Sequence, residues 1–272
     1  FKLRAYDERK GVGFLRHVLI RCGFESREIM VVLVTATPAF PSKNNFVKAL
    51  LKEHGEITTI VQNVNPDGIP LTLGRRNNVL FGKGYIEDAL CGMTFRISPD
   101  SFYQVNPIQC EKLYKKALEF AELTGEETVF DSYCGTGTIG LIASKSAKQV
   151  LGAELNRSAV KNAISNAKIN GVKNIYFLTG DAGEIINELA ENREQFDVVI
   201  MDPPRAGASR DFLQSLLTMK PKKIIYVSCN PETLARDLQL LTKKHYKVEK
   251  IQGVDMFPHT KHIETVCLLK LQ

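Results

Sequence analysis

Two rhythms of apolar spacing divide the chain. From Gly11 to about Asp100 the apolar residues come in short β-rich runs, GFLRHVLIRCG, EIMVVLVTAT, ITTIVQNVN and NNVLFGKGYIEDALCGMTFRI, and only Phe46 to His54 has helical spacing. That pattern predicts a small α+β unit with a mostly antiparallel sheet. From Asn106 onward helix and strand alternate, starting with PIQCEKLYKKALEFAEL at helical spacing. Strands are predicted at ETVFD, KQVLGAE, NIYFL, FDVVIMD, KKIIYVS, YKVEKIQGV and ETVCLLK. The stretches between the first five are long enough for helices, so βαβ crossovers and a doubly wound, mostly parallel sheet are expected. The last two strands are joined by DMFPHTKHI with no helix, which predicts an antiparallel strand at or near the sheet's edge. The predicted organisation is α/β: a smaller β-rich α+β domain over residues 1–100, then a larger domain over 101–272.

Composition narrows the class. The 272 residues suffice for two domains, and 44% apolar with 24% charged is an ordinary globular balance. No apolar run approaches the ~18 to 20 residues that span a bilayer, and the charged start FKLRAYDERKG is unlike a signal sequence. A cytoplasmic monomer without membrane contact is expected. The first residue is Phe1 in place of Met, which reads as a piece of a longer protein. Thirty-six basic against thirty acidic residues give +6, and fourteen against ten before residue 101 put +4 of it in the first hundred. That is a mild bias toward polyanions, and equally a solvated surface. The cysteines Cys22, Cys91, Cys110, Cys134, Cys229 and Cys267 stand singly with no Cys-x-x-Cys pair, so free thiols are expected, without zinc or an iron–sulfur cluster.

After the first strand of the larger domain comes Asp131-Ser-Tyr-Cys-Gly135-Thr-Gly137-Thr-Ile-Gly140, a Gly-x-Gly-x-x-Gly string at a strand-to-helix turn. Such a turn lets backbone approach a dinucleotide or S-adenosylmethionine equally well. The next strand ends at Glu154, a carboxylate placed for ribose hydroxyls. Asp202-Pro203-Pro204-Arg205 at the fourth strand's exit favours a methyl donor over a nicotinamide, because the prolines stiffen a rim against which a base is held. Cys229 follows Asp202 by 27 residues, one helix plus one strand, so the two should emerge on adjacent strands at the same carboxyl end. A thiol there suits a reaction at carbon 5 of a pyrimidine, a poor nucleophile until a thiolate adds to carbon 6. The same reaction needs a base for the carbon-5 proton, and Glu264, opening the last strand, is the candidate. His259 and His262 in the preceding loop read as polar contacts, and the remaining five cysteines as buried core residues.

Together SFYQVNP, DSYCGTGTIG, GAELN, DPPRAG, SCNPETLARDL and MFPHTKHIETV resemble the RNA uracil-5 methyltransferase family, from about Cys91 to the last residue and more faintly back to Gly11. The resemblance implies a Rossmann-like class I methyltransferase fold and S-adenosyl-L-methionine as cofactor, contacted by Gln104, Tyr133, Glu154 and Asp202 beside the loop glycines Gly135 and Gly137. It implies Cys229 as nucleophile, Glu264 as proton acceptor and RNA as partner, with transfer to carbon 5 of a uridine in ribosomal or transfer RNA. VGFLRHVLIR paired with ISPDSFYQVN is more similar to the bacterial 23S ribosomal RNA enzymes than to the transfer RNA branch. Members commonly begin with a small β-barrel RNA-binding domain, and many carry four cysteines for an iron–sulfur cluster. Neither is in this sequence, so an N-terminally truncated catalytic fragment is expected, with residues 1–100 a partial central domain that contacts RNA. Arg75 and Arg76 read as phosphate contacts or as exposed turn charges, and Arg205 as a substrate contact. The alternatives are a transfer RNA uracil-5 or other base methyltransferase, a nicotinamide-dependent oxidoreductase resting on the glycine string, and a non-catalytic RNA-binding factor.

Overall fold

The computed structural model describes residues 1, 3–66 and 72–272, which group into two units: Phe1–Ala89 with Thr94–Ser101, and Leu90–Met93 with Phe102–Gln272. In the first unit, β1 (Leu15–Cys22), β2 (Ile29–Thr35), α1 (Lys43–Glu53), β3 (Ile57–Val64) and β4 (Arg76–Phe81) form a sheet in the order β1-β2-β3-β4. β1–β2 and β3–β4 are antiparallel, as the short apolar runs predict. β2 and β3 instead run parallel, because α1 carries the chain back to the end from which β2 started. Val31, Leu33, Val47, Ile57 and Ile60 form the buried cluster between sheet and helix. A two-stranded sheet of β5 (Ile86–Leu90) and β6 (Met93–Ile97) follows.

The second unit opens with α2 (Pro107–Ala121), whose start is written in the sequence. Asn106 caps it by accepting a hydrogen bond from the Gln109 N–H at 3.2 Å, and Pro107 occupies the first turn, where no N–H is needed. Cys110, Leu113, Tyr114, Ala117 and Phe120, spaced by three or four, are its buried face. Then come β7 (Thr128–Asp131), α3 (Thr138–Ala143), β8 (Gln149–Glu154), α4 (Arg157–Ile169), β9 (Ile175–Thr179), α5 (Ala182–Glu191), β10 (Val198–Met201), α6 (Arg210–Met219), β11 (Lys223–Ser228), α7 (Pro231–Thr242), β12 (Tyr246–Val254) and β13 (Glu264–Leu271).

These seven strands make one sheet in the order β12-β13-β11-β10-β7-β8-β9. The first five in sequence are mutually parallel, and β13 is antiparallel to both its neighbours, one strand in from the edge. Burial on both faces explains the unbroken apolar runs: all four residues of β10, Val-Val-Ile-Met, are at most 1% exposed. The strand order reverses between β7 and β10, since β8 and β9 extend the sheet one way and β11 the other. At such a switch point the connections leave in opposite directions and open a crevice at the carboxyl ends of the two strands, the general ligand position in doubly wound sheets.

The thiols correct one expectation. Cys110, Cys134 and Cys267 are buried, but Cys22, ending the edge strand β1, is exposed, and Cys91, in a turn with φ +50°, is half-buried. All six are free. Among the described residues no helix is long and apolar enough to cross a membrane, and no three His, Cys, Asp or Glu side chains are placed to hold a metal.

Candidate active site

The crevice between β7 and β10 holds the predicted glycine loop. Asp131 closes β7, and its buried Oδ2 accepts the Gly140 N–H at 2.9 Å. A Cβ on Gly140 would lie 2.8 Å from that oxygen, so glycine lets the helix start press against the strand end. Glu154, ending β8, accepts the Gly135 N–H at 3.0 Å and the Asn156 N–H at 2.7 Å, which ties the loop to the neighbouring strand. Asn166 of α4 donates to the Thr136 carbonyl at 3.0 Å. A cavity is lined there by Tyr103, Gln104, Asp131, Tyr133, Gly135 and Asp202, with Thr136 and the 74% exposed Phe102 at its margin. Gln104 reaches it from the segment before α2, which Asn106 anchors by donating to the Met256 carbonyl at 3.1 Å.

A second cavity opens at the ends of β11 and β13, lined by Arg205, Cys229, Asn230, Pro231, Lys261 and His262. The register explains how it forms. Ser228 of β11 lies opposite Thr265 of β13, so the next residue on one strand, Cys229, meets the preceding residue on the other, Glu264. Met201 of β10 is level with Tyr226 of β11, which puts Asp202 at the same end of the sheet. Cys229 is half-buried and leaves its strand through a tight turn: Asn230 donates its N–H to the Ser228 hydroxyl at 3.2 Å, then caps α7 by accepting the Glu232 N–H at 3.0 Å.

The electrostatics bind these groups into one site. Burial raises the Cys229 thiol, Glu264 and Asp202 raise it further, and Arg205 opposes them. Glu264, 5% exposed, is raised by burial, with Arg205 again opposing. Asp202 is pushed up to about 8 by burial and then by Glu264 and Asp131, and Asp131 to about 7 by burial, against the Gly140 N–H and with Glu154 adding to the rise. A pH dependence follows. Carboxyls with folded values of about 7 and 8 hold protons that unfolded carboxyls, near 3.9, release. Their contribution to stability is complete below the unfolded value and is lost as pH rises through 7 to 8. The melting temperature of the ligand-free chain should therefore fall between pH 6 and 8.5, and Asp202→Asn should flatten that fall; scanning calorimetry of both proteins checks it, and equal slopes would contradict it.

Of the residues singled out in the sequence, Gln104, Tyr133, Gly135 and Asp202 line the first cavity, Cys229 and Arg205 line the second, and Glu264 stands beside Cys229. Gly137 caps α3 and packs toward Phe177 and Ala163, and Glu154 holds the loop through the Gly135 N–H. Arg75 and Arg76 are exposed at the start of β4 in the first unit. Tyr103, Asp131 and Thr136 were not singled out as site residues; for Asp131 a signal existed, an acidic residue ending the strand before a glycine turn. His262 was read only as a polar contact, and Lys261 not at all.

A switch-point cavity on a glycine turn, in a seven-stranded sheet with one reversed strand, defines a Rossmann-like class I methyltransferase fold. Residues 68–272 match the model of the tRNA (uracil-5-)-methyltransferase family, and the chain belongs to that family. An uncharacterized RNA methyltransferase of Oceanobacillus iheyensis is 44% identical over 272 residues, which is 100% of this chain and 59% of that protein. Another from Listeria monocytogenes serotype 4b is 48% identical over 266 residues, 98% of this chain and 58% of its own length. The chain thus spans about six-tenths of these relatives. Among solved structures, the Pyrococcus abyssi tRNA (uracil-54, C5)-methyltransferase in complex with S-adenosyl-L-homocysteine matches with a TM-score of 0.80 at 33% identity, covering 98% of this chain and 63% of that one.

Proposed function

We propose that this chain is the catalytic part of an S-adenosyl-L-methionine-dependent enzyme that methylates carbon 5 of a uridine in RNA, with Cys229 as nucleophile and Glu264 as base. The observation that carries the reading is the β11–β13 register, which continues from Ser228 opposite Thr265 to Cys229 and Glu264, at the sheet end where Asp202 borders the crevice of the glycine loop. The first cavity fits the cofactor: the Asp202 and Asp131 carboxyls stand where a cation restores their charge, Gly135 leaves backbone open to the ligand, and Gln104 and Tyr133 add polar and aromatic wall. When bound, that cofactor supplies an electrophilic methyl group on a sulfonium.

The protein's residues do the rest. Once deprotonated, the Cys229 sulfur would bond to carbon 6 of the uracil and make carbon 5 nucleophilic toward the methyl that the cofactor, held by Gln104, Tyr133, Gly135 and Asp202, would supply with its sulfonium sulfur as leaving group. Glu264 takes the carbon-5 proton, the electron pair restores the 5,6 double bond, and the Cys229 thiolate departs. Its raised affinity for protons suits a base. Arg205, the cation that opposes the acidic groups here, favours the thiolate. Lys261 and His262 at the rim suit the phosphates of a nucleotide flipped from a loop or bulge. Residues 1–100 are assigned RNA contacts, with Arg75 and Arg76 exposed for phosphates, and 101–272 the catalytic role.

The finer reading takes 23S ribosomal RNA as substrate, on the pairing of VGFLRHVLIR with ISPDSFYQVN. A transfer RNA substrate is the second reading, favoured by the likeness to the Pyrococcus abyssi enzyme. Incubating the full-length protein with unmodified 23S ribosomal RNA and transfer RNA transcripts, followed by nucleoside mass spectrometry, should give 5-methyluridine in the ribosomal RNA. Methyl groups on transfer RNA alone would select the second reading, and on cytidine or an exocyclic amine would reject both.

A further inference from the structure

We propose that Arg236 and Asp237 are positioning residues that lock the backbone from Arg205 to Ala208 onto the first two turns of α7 and so hold Arg205 beside Cys229. This rests on the reading of Cys229 as nucleophile. Asp237 is 1% exposed, and its carboxylate is fully engaged: Oδ2 accepts the Tyr226 hydroxyl at 2.7 Å and the Ala208 N–H at 2.9 Å, and Oδ1 accepts the Arg236 Nε–H at 2.8 Å. The Arg236 guanidinium turns back to donate to the Ala206 carbonyl at 3.0 Å and the Ala208 carbonyl at 3.2 Å. One turn earlier the Asn230 amide and the Thr233 hydroxyl donate to the Arg205 carbonyl at 3.2 and 3.3 Å. Gly207, at φ +78°, fits against this cluster without a side chain; a Cβ there would lie 2.5 Å from Arg236 Nη2 and 2.7 Å from Asp237 Oδ2.

The chemistry indicates what the cluster is for. Asp237 is buried but the Arg236 side chain is 56% exposed, and an ion pair open to water on one side adds little net stability. What it adds here is geometry, since three of its hydrogen bonds end on the backbone of one loop, at the Ala206 and Ala208 carbonyls and the Ala208 N–H, and Asn230 and Thr233 add two more at the Arg205 carbonyl. That loop carries Arg205 into the second cavity. The charged groups facing Cys229 are Glu264 from β13, Asp202 from the end of β10 and Arg205, with Glu232 of α7 and Lys261 and His262 of the loop before β13 at the rim. Arg205 is the cation among these that lowers the thiol, so a loosened loop raises it.

The test is the rate at which iodoacetamide alkylates Cys229, followed by mass spectrometry of its peptide as a function of pH, in the full-length protein. Arg236→Lys, which keeps the charge but loses the fork, should move the midpoint up by about half a unit, a roughly threefold loss of thiolate at fixed pH. Tyr226→Phe, which removes one hydrogen bond and keeps the packed ring, should move it in the same direction. Arg205→Ala should shift it at least as far, and Arg205→Ala with Arg236→Lys should match Arg205→Ala alone, because Arg236 acts through Arg205. Midpoints at the wild-type value in both Arg236→Lys and Tyr226→Phe, or additive shifts in the double variant, overturn the proposal. Alkylation needs neither RNA nor methyl donor, so absence of uridine methylation would reject the functional reading and leave this result standing.

Discussion

Cys229→Ala should abolish methyl transfer to uridine, with a fall of about 10⁴-fold or more, the scale seen when a group that forms the covalent intermediate is removed. Carbon 5 of uracil has almost no nucleophilicity of its own, so no neighbouring residue substitutes for the sulfur. S-adenosylmethionine should bind almost as before, because Cys229 lines the second cavity while Gln104, Tyr133, Gly135 and Asp202 line the first. Removing the thiol also relieves Glu264 and Asp202 of a neighbour and leaves the β11–β13 ladder intact, since the ladder ends at Ser228 opposite Thr265. Calorimetric titration with the cofactor, beside a methyl-transfer assay on unmodified RNA, separates the two effects. Measurable turnover by the alanine protein would remove the covalent route.

Glu264→Gln should act at a later step. Glutamine keeps the shape of a side chain that is 5% exposed at the start of β13, but it cannot accept the carbon-5 proton. Loss of a general base costs ~10²- to 10⁴-fold. On the proposed route attack by Cys229 and methyl transfer precede that proton's removal, so the variant should accumulate a protein–RNA species that survives a denaturing gel. Burial holds the Glu264 carboxyl above its ordinary range and Arg205 opposes this, so Arg205→Ala raises it further and slows the neutral-pH reaction through both Cys229 and Glu264. An unchanged rate with no adduct would show Glu264 to be misassigned.

Much of this site was legible because it depends on short-range rules. The helix–strand alternation from Asn106 onward gave the parallel sheet, and the 27-residue separation put Asp202 and Cys229 on adjacent strands, β10 and β11. The helix-free loop before Glu264 forced a reversed strand, and the reversal is what turns Glu264 toward Cys229. Less legible were features set by tertiary packing. The parallel pairing of β2 with β3 depends on where α1 returns the chain, which apolar runs alone do not encode. The strand-end position of Glu154 was legible, but not that its carboxylate also accepts the Gly135 and Asn156 N–H groups, which loop geometry sets. Tyr226 reads as one more apolar residue of a core strand, yet its hydroxyl completes the shell of Asp237 on α7, eleven residues on. Cys22 is exposed because β1 is an edge strand, a fact of sheet order and not of composition.

The most direct measurement is peptide mapping of the species trapped by Glu264→Gln on unmodified 23S ribosomal and transfer RNA transcripts in the presence of S-adenosylmethionine. One modified peptide is expected, containing Cys229 and carrying a uridine nucleotide heavier by a methyl group. A nucleotide attached at another residue, or methylated uridine released with no attachment at Cys229, would contradict it.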